Sequence, residues 1–161
     1  MNATKQTIDL KRSATNKALL ALEPELVKAC IEEISQSWTI NLKSQPKAGL
    51  GMIQLEDSAM GQPFYLGEFP CATAWVTLEA VAGQVYQGAA NIFSDDQDLA
   101  FAVAVADAAL SASLEGIQPL RDLIKSGTKK VERENRIRKA MLAKTKVDFA
   151  MLNEAGGADA S

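Results

Sequence analysis

The sequence contains no histidine. This absence excludes the Ser–His–Asp and Cys–His nucleophile systems and every histidine-based metal site. Two cysteines, Cys30 and Cys71, lie far apart and match no metal-ligand spacing, so we interpret them as reduced, partly buried thiols. Carboxylates, lysines or chemistry carried out by another chain remain as routes to catalysis. We therefore expect no complete active site in this chain.

Long apolar runs are also missing, and no stretch reaches the roughly 18 apolar residues that would predict a membrane-spanning helix. The first twelve residues carry charges throughout and lack the apolar centre of a signal peptide. These two features predict a cytoplasmic protein with no membrane partner. The length of 161 residues fits one domain with an attached arm.

Basic residues are scarce in the first part of the chain, and acidic residues are scarce near its C-terminal end. Residues 1–120 have seven basic and 14 acidic side chains, whereas residues 121–146 have ten basic and three acidic ones. A change of sign on this scale predicts two surfaces with different partners. No aromatic residue interrupts the basic segment, and this argues against a nucleic-acid partner.

Three basic residues in this segment, Arg133, Arg136 and Lys139, recur at every third position. Residues three apart are neighbours on a helix surface, so this spacing predicts a basic ridge that drifts slowly around the helix. Such a ridge could hold a phosphate-rich ligand or the acidic face of a partner protein. A solvated helix face without a ligand is the alternative interpretation.

The periodicity of apolar residues predicts an α+β fold. Two short helices, the second beginning at Pro24, form an N-terminal helical hairpin. Alternating residues then predict short strands joined by tight links, which pair as an antiparallel meander with one face covered. The predicted strand segments are residues 38–42, 50–55, 74–78 and 85–91, with a short apolar stretch at 64–68. A break at Gln45-Pro46-Lys47 is predicted between the first two segments.

The helices that follow complete this prediction. Ser94 and Gln97 have the spacing of a capping box, which predicts a helix ending near Gly116 that covers the sheet. A short helix over residues 117–124 is predicted to close at Ser126-Gly127, before an extended polar C-terminal helix that reaches about residue 152. The predicted organisation is a core domain (14–125), a C-terminal helical arm (126–154) and flexible termini (1–13 and 155–161).

Paired carboxylates occur at Glu56-Asp57 and at Asp95-Asp96. Metal binding or acid–base catalysis would require such pairs to converge in a cleft. Adjacent carboxylates in a loop or at a helix start more often face solvent or cap the helix, so no metal site is predicted. Isolated glycines such as Gly49 form neither a phosphate loop nor a dinucleotide fingerprint.

The most distinctive stretch covers residues 61–68 and reads Gly-Gln-Pro-Phe-Tyr-Leu-Gly-Glu. It resembles a motif of the G subunit of the carbon–phosphorus lyase core complex, the PhnG family. Further matches occur in the family's order over roughly residues 15–149: Ala48-Gly49-Leu50, Gly88, the acidic cap 94–98, Asp107-Ala108 and Val147-Asp148-Phe149. The chain departs from the family pattern at Ala72-Thr73, at Glu56 and after Phe149, where basic residues are lost.

The resemblance implies a specific role. The family's complex joins a phosphonate to the ribose of ATP with release of adenine, as an alpha-D-ribose 1-methylphosphonate 5-triphosphate synthase. A different subunit, of the I type, is credited with most of the displacement chemistry. The resemblance thus implies an accessory subunit of a transferase complex, with H, I and J subunits as partners, ATP as substrate of the complex and no cofactor in this chain. Self-association within the complex is a further expectation.

The residues carried by this resemblance are interface candidates and not catalytic ones, because aromatic residues such as Phe64 and Tyr65 anchor interfaces at low entropic cost. Two rival hypotheses stay open. One is a phosphate-ligand binding module that uses Arg133, Arg136 and Lys139. The other is a stand-alone enzyme that uses carboxylates such as Glu68 or Asp148. The interface candidates are Phe64, Tyr65, Leu66, Gly67, Glu68, Val147, Asp148 and Phe149.

Overall fold

The computed structural model describes residues 12–79 and 83–144. Within these residues, two helices precede an antiparallel sheet, and two further helices follow it. The elements are α1 (Arg12–Leu20), α2 (Pro24–Ser35), β1 (Thr39–Glu56), β2 (Pro63–Glu79), β3 (Val85–Ile92), α3 (Gln97–Ser111) and α4 (Gln118–Lys144). The α+β fold predicted from the sequence is confirmed.

The second N-terminal helix begins where the sequence predicts. Pro24 occupies the first turn of α2, where its missing N–H costs nothing, and Val27 and Ile31 are the buried residues of that helix. In α1, Ala18 and Leu19 are buried. α1 packs mainly against α4, and α2 packs mainly against α3, so both helices close one side of the core.

The sheet has the order β1-β2-β3, with antiparallel neighbours throughout. Its strands are longer than the sequence predicts, because segments 38–42 and 50–55 merge into one strand of 18 residues, and the stretch 64–68 merges with segment 74–78 into one of 17 residues. The predicted break at Pro46 is wrong. Register shifts between Leu42 and Lys47 absorb this residue, and β1 is an edge strand, where a proline deprives no ladder of a donor.

Helix α3 covers one face of the sheet, which we call the inner face. Ten of its 15 residues are buried, most of them alanine or valine. The approach is closest at Gly88 of β3, where a Cβ atom would lie 2.0 Å from the carbonyl oxygen of Ala104 and 2.8 Å from Cβ of Ala108. Small residues on both elements therefore let the helix backbone lie directly on the strand.

The predicted start and end of α3 are both corrected by the structure. Asp96, and not Ser94, is the N-cap, because its Oδ1 accepts a hydrogen bond from the backbone N–H of Leu99 at 2.8 Å. Ser94 supports this cap through its Oγ, which accepts from the N–H of Asp96. The helix ends at Ser111, earlier than predicted, and Ser113 and Gly116 then adopt positive φ angles in the link to α4.

The predicted helix break at Ser126-Gly127 is also wrong, because α4 is one continuous helix of 27 residues. The hydroxyl group of Ser126 donates a hydrogen bond to the carbonyl oxygen of Asp122, one turn earlier in the same helix. Gly127 allows α1 and α4 to pack closely, because a Cβ atom at this position would lie 2.0 Å from the carbonyl oxygen of Ala18 in α1. The predicted boundary between residues 125 and 126 falls within this helix, and the domain division stays a prediction.

Candidate interaction surfaces

The sheet extends well past the helices that cover it. The last pair between β2 and β3 joins Ala72 to Ile92, so the distal half of β2 pairs only with β1. Residues 49–56 of β1 and 63–71 of β2 therefore form a two-stranded hairpin, which we call the ribbon. At about 3.3 Å per residue, it is roughly 30 Å long.

The ribbon is apolar and exposed. Leu50, Tyr65 and Leu66 expose 71, 64 and 62% of their surface, and further exposed apolar residues are Met52, Ile53, Leu55, Met60 at the tip, and Phe64. A two-stranded ribbon is only marginally stable in water, and a contiguous apolar surface of this kind marks an interaction site. The ribbon is thus the main surface of the described chain that lacks a cover.

The predicted interface residues of the 64–68 element all lie on this ribbon and are all exposed. Phe64 pairs with Leu55, and Glu68 pairs with Met52. A register shift falls between them, because Tyr65 pairs with Gln54 and Gly67 with the adjacent Ile53, which leaves Leu66 as the extra residue of a bulge. The remaining predicted interface residues, Val147, Asp148 and Phe149, lie outside the described residues.

The face of the sheet opposite α3, the outer face, carries an aromatic cluster at the base of the ribbon. The ring of Phe69 lies over Gly51, and its centroid is 4.5 Å from that of Phe93, with the planes tilted by 31°. Phe93 is 75% exposed and Trp75 is 47% exposed. The sequence reasoning missed these residues and also Leu50 and Met52. The signal available was the run of residues 48–53, which contains no polar side chain and does not alternate as a half-buried strand does.

The C-terminal half of α4 forms a second surface. After the buried Gly127, only Thr128, Val131 and Asn135 are half-buried, and residues 136–144 are all exposed. Residues 129–144, which we call the basic helix end, carry seven basic and two acidic side chains. None of these seven forms an ion pair with another residue that the structure describes.

The phosphate-binding candidates Arg133, Arg136 and Lys139 are all placed on the basic helix end, and all three are exposed. They lie on one helix, as the spacing predicts. The structure describes no second element that packs against residues 136–144, so no wall encloses them. Two large apolar side chains, Ile137 and Met141, stand one turn apart on the same surface, with 48 and 65% exposure.

The buried carboxylate of Asp107 has a structural role. It receives hydrogen bonds from the backbone N–H of Ala89 at 3.1 Å and from Nε of Arg12 at 2.7 Å, and a second guanidinium nitrogen of Arg12 also contacts it. The hydrogen bond to Asp107, followed by the attraction of its charge, raises the pKa of Arg12. Asp107 thereby joins the start of α1 to β3, and it offers no free oxygen to a substrate.

The other carboxylates considered for catalysis do not converge. Glu68 is exposed on the ribbon, Glu56 is exposed at the end of β1, and Asp57 closes the ribbon turn by accepting from the N–H of Ala59. Asp96 caps α3, and the hydrogen bond from Leu99 is the largest cause of its lowered pKa, with Lys28 contributing. Asp148 lies outside the described residues.

Two negative findings apply to residues 12–79 and 83–144. No group of three or more cysteine and carboxylate side chains is arranged to hold a metal ion there. No helix in the same ranges combines the length and the apolar character that crossing a membrane requires.

Comparison with known proteins gives one finding that covers nearly the whole chain. The family model described as phosphonate metabolism protein PhnG matches residues 10–153. This range contains every described element, including the ribbon and the basic helix end. No curated protein matches the chain. The match agrees with the motif order in the sequence, and the chain belongs to the PhnG family of phosphonate metabolism proteins.

Proposed function

We propose that this protein is an accessory subunit of the carbon–phosphorus lyase core complex, which transfers a phosphonate to the ribose of ATP and releases adenine. Membership of the PhnG family supports a role in phosphonate metabolism. The partners in this proposal are the H, I and J subunits. ATP is a substrate of the whole complex, no cofactor belongs to this chain, and the complex works in the cytoplasm.

The observation that carries the proposal is the exposed apolar ribbon. Tyr65 and Leu66 each expose more than three-fifths of their surface in the isolated chain. Large apolar side chains in such numbers are stabilised when a partner covers them, and aromatic residues among them are typical anchors of interfaces. The ribbon therefore supports the role of a subunit that binds other chains, and the dispersed carboxylates do not support a complete active site.

The basic helix end supplies a second contact in this proposal. Its cations steer an acidic partner over distances of about a Debye length, roughly 8 Å at physiological salt. Ile137 and Met141 supply the apolar contact that holds the docked helix. The two surfaces differ in chemistry, so salt should weaken the contact of the helix more than that of the ribbon.

The test is co-expression of this chain with the H, I and J subunits, with a tag on this chain alone, followed by pull-down and native mass measurement. The informative variant is Tyr65→Ser combined with Leu66→Ser. The matched control is Leu26→Ser, which removes a 51% exposed leucine on α2, far from the ribbon in the chain. We expect the control to co-purify with its partners and the ribbon variant to lose them.

The purified complex is then assayed for adenine release from ATP and a phosphonate. A wild-type chain that purifies alone from the co-expression would overturn the proposal. Turnover of ATP and phosphonate by this chain without partners would instead support the stand-alone enzyme, in which Glu68 or Asp148 would act.

A second candidate function is binding of a phosphate-rich ligand by Arg133, Arg136 and Lys139. The absence of ion pairs to these side chains within the described residues favours it. Their placement on a convex, unenclosed helix favours a protein partner instead, because small ligands bind in concave sites that bury most of their surface. In this second candidate, nucleotide binding depends on these three residues and assembly does not.

A further inference from the structure

The two edges of the sheet are not equivalent. At the β3 edge, the backbone N–H of Ala89 is already bonded to the carboxylate of Asp107. At the β1 edge, residues 47–56 pair only with β2, and no described backbone group bonds to their outward side. An exposed edge of this kind is a template for another strand. The open edge of the sheet is therefore the distal half of β1.

The sequence of this edge limits where a strand can add. Pro46 and the register shifts around it disturb the backbone next to the body of the sheet. Beyond them, residues 48–55 contain no charged side chain, and Lys47 and Glu56 bound this stretch. Natural edge strands usually carry charges or bulges that prevent pairing, and this stretch carries neither on β1.

We propose that the edge from Lys47 to Asp57 pairs antiparallel with the same edge of a second copy of this chain. A two-fold axis perpendicular to the sheet leaves each side chain on its own face, so residues pair only when their numbers differ by an even amount. Of the symmetric registers, the one centred on Met52 brings Lys47 opposite Asp57. Centring on Gly51 places Lys47 against Leu55, and centring on Ile53 places Glu56 against Leu50.

The Met52 register is also complementary in shape on the outer face. It sets Gly49 opposite Leu55, and a Cβ atom at Gly49 would have nothing within 4 Å, so this glycine leaves space for the leucine of the other copy. The same register sets Gly51 opposite Ile53. The Phe69 ring already lies over Gly51, and Ile53 of the second copy packs beside it. Asp57 keeps Oδ2 available for Lys47, because the turn uses only its Oδ1.

Self-pairing of β1 goes beyond the proposed function. It uses the backbone edge of the ribbon, whereas the Tyr65 and Leu66 side chains on β2 remain available to other subunits. A core complex built on it contains this chain in even numbers. The foreign partners and the second copy therefore occupy different parts of the ribbon.

The experiment uses the full chain with Cys30→Ser and Cys71→Ser, to which one cysteine is added at a time and oxidised. Met52→Cys lies on the two-fold axis and should form a cross-linked dimer in high yield. Leu50→Cys alone should not, but it should cross-link to Gln54→Cys when the two variants are mixed. In the wild-type chain, Lys47→Glu should raise the dissociation constant of the dimer by about tenfold, as expected for a lost charge pair that becomes repulsive.

A wild-type chain that sediments as a monomer throughout the micromolar range overturns the proposal. A dimer whose Met52→Cys variant fails to cross-link overturns it as well. An unchanged dissociation constant of the Lys47→Glu variant overturns the proposed pairing without any added cysteine. A co-expressed complex that holds a single copy of this chain is a further contrary outcome. That result overturns self-pairing and leaves the proposed subunit function intact.

Discussion

Asp107, inside helix α3, accepts a hydrogen bond from the backbone N–H of Ala89 in β3 at 3.1 Å. The carboxylate is 6% exposed and also binds Arg12, at the start of α1. One buried side chain thus fixes the positions of three elements and occupies the β3 edge of the sheet. The same contact leaves β1 as the edge that other strands can reach.

Replacing this carboxylate should destabilise the fold. Asp107→Ala removes a buried carboxylate that accepts hydrogen bonds from both Ala89 and Arg12, at a cost of about 1–3 kcal/mol in the free energy of unfolding. Arg12→Ala should cost less, because Arg12 is 69% exposed and water replaces part of its contact. Denaturant unfolding of both variants and of the exposed control Asp95→Asn measures this order. An Arg12→Ala variant less stable than Asp107→Ala would contradict it.

The contact between α1 and α4 should tolerate no side chain at Gly127. A Cβ atom there meets the carbonyl oxygen of Ala18 at 2.0 Å, which is backbone and cannot rotate away. Gly127→Ala should therefore lower the free energy of unfolding by about 1–3 kcal/mol, the usual cost of overpacking, despite the higher helix propensity of alanine. Gly67→Ala is the control, since a Cβ atom at Gly67 has nothing within 4 Å. Equal stability of the two variants would show that α1 can move away from α4.

The cap of α3 should make stability depend on pH. The pKa of Asp96 is lowered in the folded chain, mainly by the hydrogen bond from the Leu99 backbone. Its stabilising contribution is therefore complete above the ordinary carboxyl value of 3.8 and is lost as the pH falls through the lower folded value. Asp96→Asn keeps a capping oxygen but does not titrate, so its unfolding free energy should fall less on acidification. Asp96→Ala should cost about 1 kcal/mol at neutral pH.

The basic helix end should be dispensable for folding and needed for binding. Charge reversal by Arg133→Glu, Arg136→Glu and Lys139→Glu removes no buried contact, because all three residues are exposed. We expect the thermal midpoint of the triple variant to stay close to that of the wild type, whereas pull-down of the partner subunits weakens. Loss of nucleotide binding with intact assembly would favour the phosphate-ligand candidate instead. Reversal of Lys17 in α1, an exposed cation elsewhere, is the control.

Cys30 should react slowly with alkylating reagents in the folded chain. Burial raises the pKa of Cys30, with the nearby Glu33 adding to the effect, so less reactive thiolate is present at mildly alkaline pH. Alkylation of the Cys71→Ser variant should thus be slow in the folded state and fast after unfolding. Mass spectrometry over time measures both rates. Rapid alkylation of folded Cys30 would mean that α2 opens readily.

Much of the fold could be read from local sequence patterns. Pro24 marks the start of α2, and Gly61 with Pro63 marks the turn of the ribbon, because proline fixes φ and glycine permits the positive φ that Gly61 adopts. The break expected at Pro46 failed because a proline on an edge strand can be absorbed by irregular pairing. The break expected at Gly127 does not occur, because the close packing of α4 against α1 stabilises the helix by more than the low helix propensity of glycine destabilises it.

The candidate surfaces were only partly predictable. Arg133, Arg136 and Lys139 were found because charge and helical spacing are properties of the sequence itself. The 64–68 element was identified from its resemblance to a family motif, but its exposure was not apparent from the residues. Leu50 and Met52 read like core residues, since an apolar stretch has the same pattern whether a helix covers it or not.

The sequence by itself determined the α+β class, the charged C-terminal helix, the lack of histidine chemistry and the motif order of the PhnG family. These properties depend on residue type and spacing along the chain. Only the tertiary structure decided that β1 and β2 each form one long strand that continues past the end of β3, and that Asp107 occupies the β3 edge. The length of one strand relative to its neighbours depends on contacts between distant residues, and these contacts determine which apolar residues lie in the core and which remain exposed for a partner.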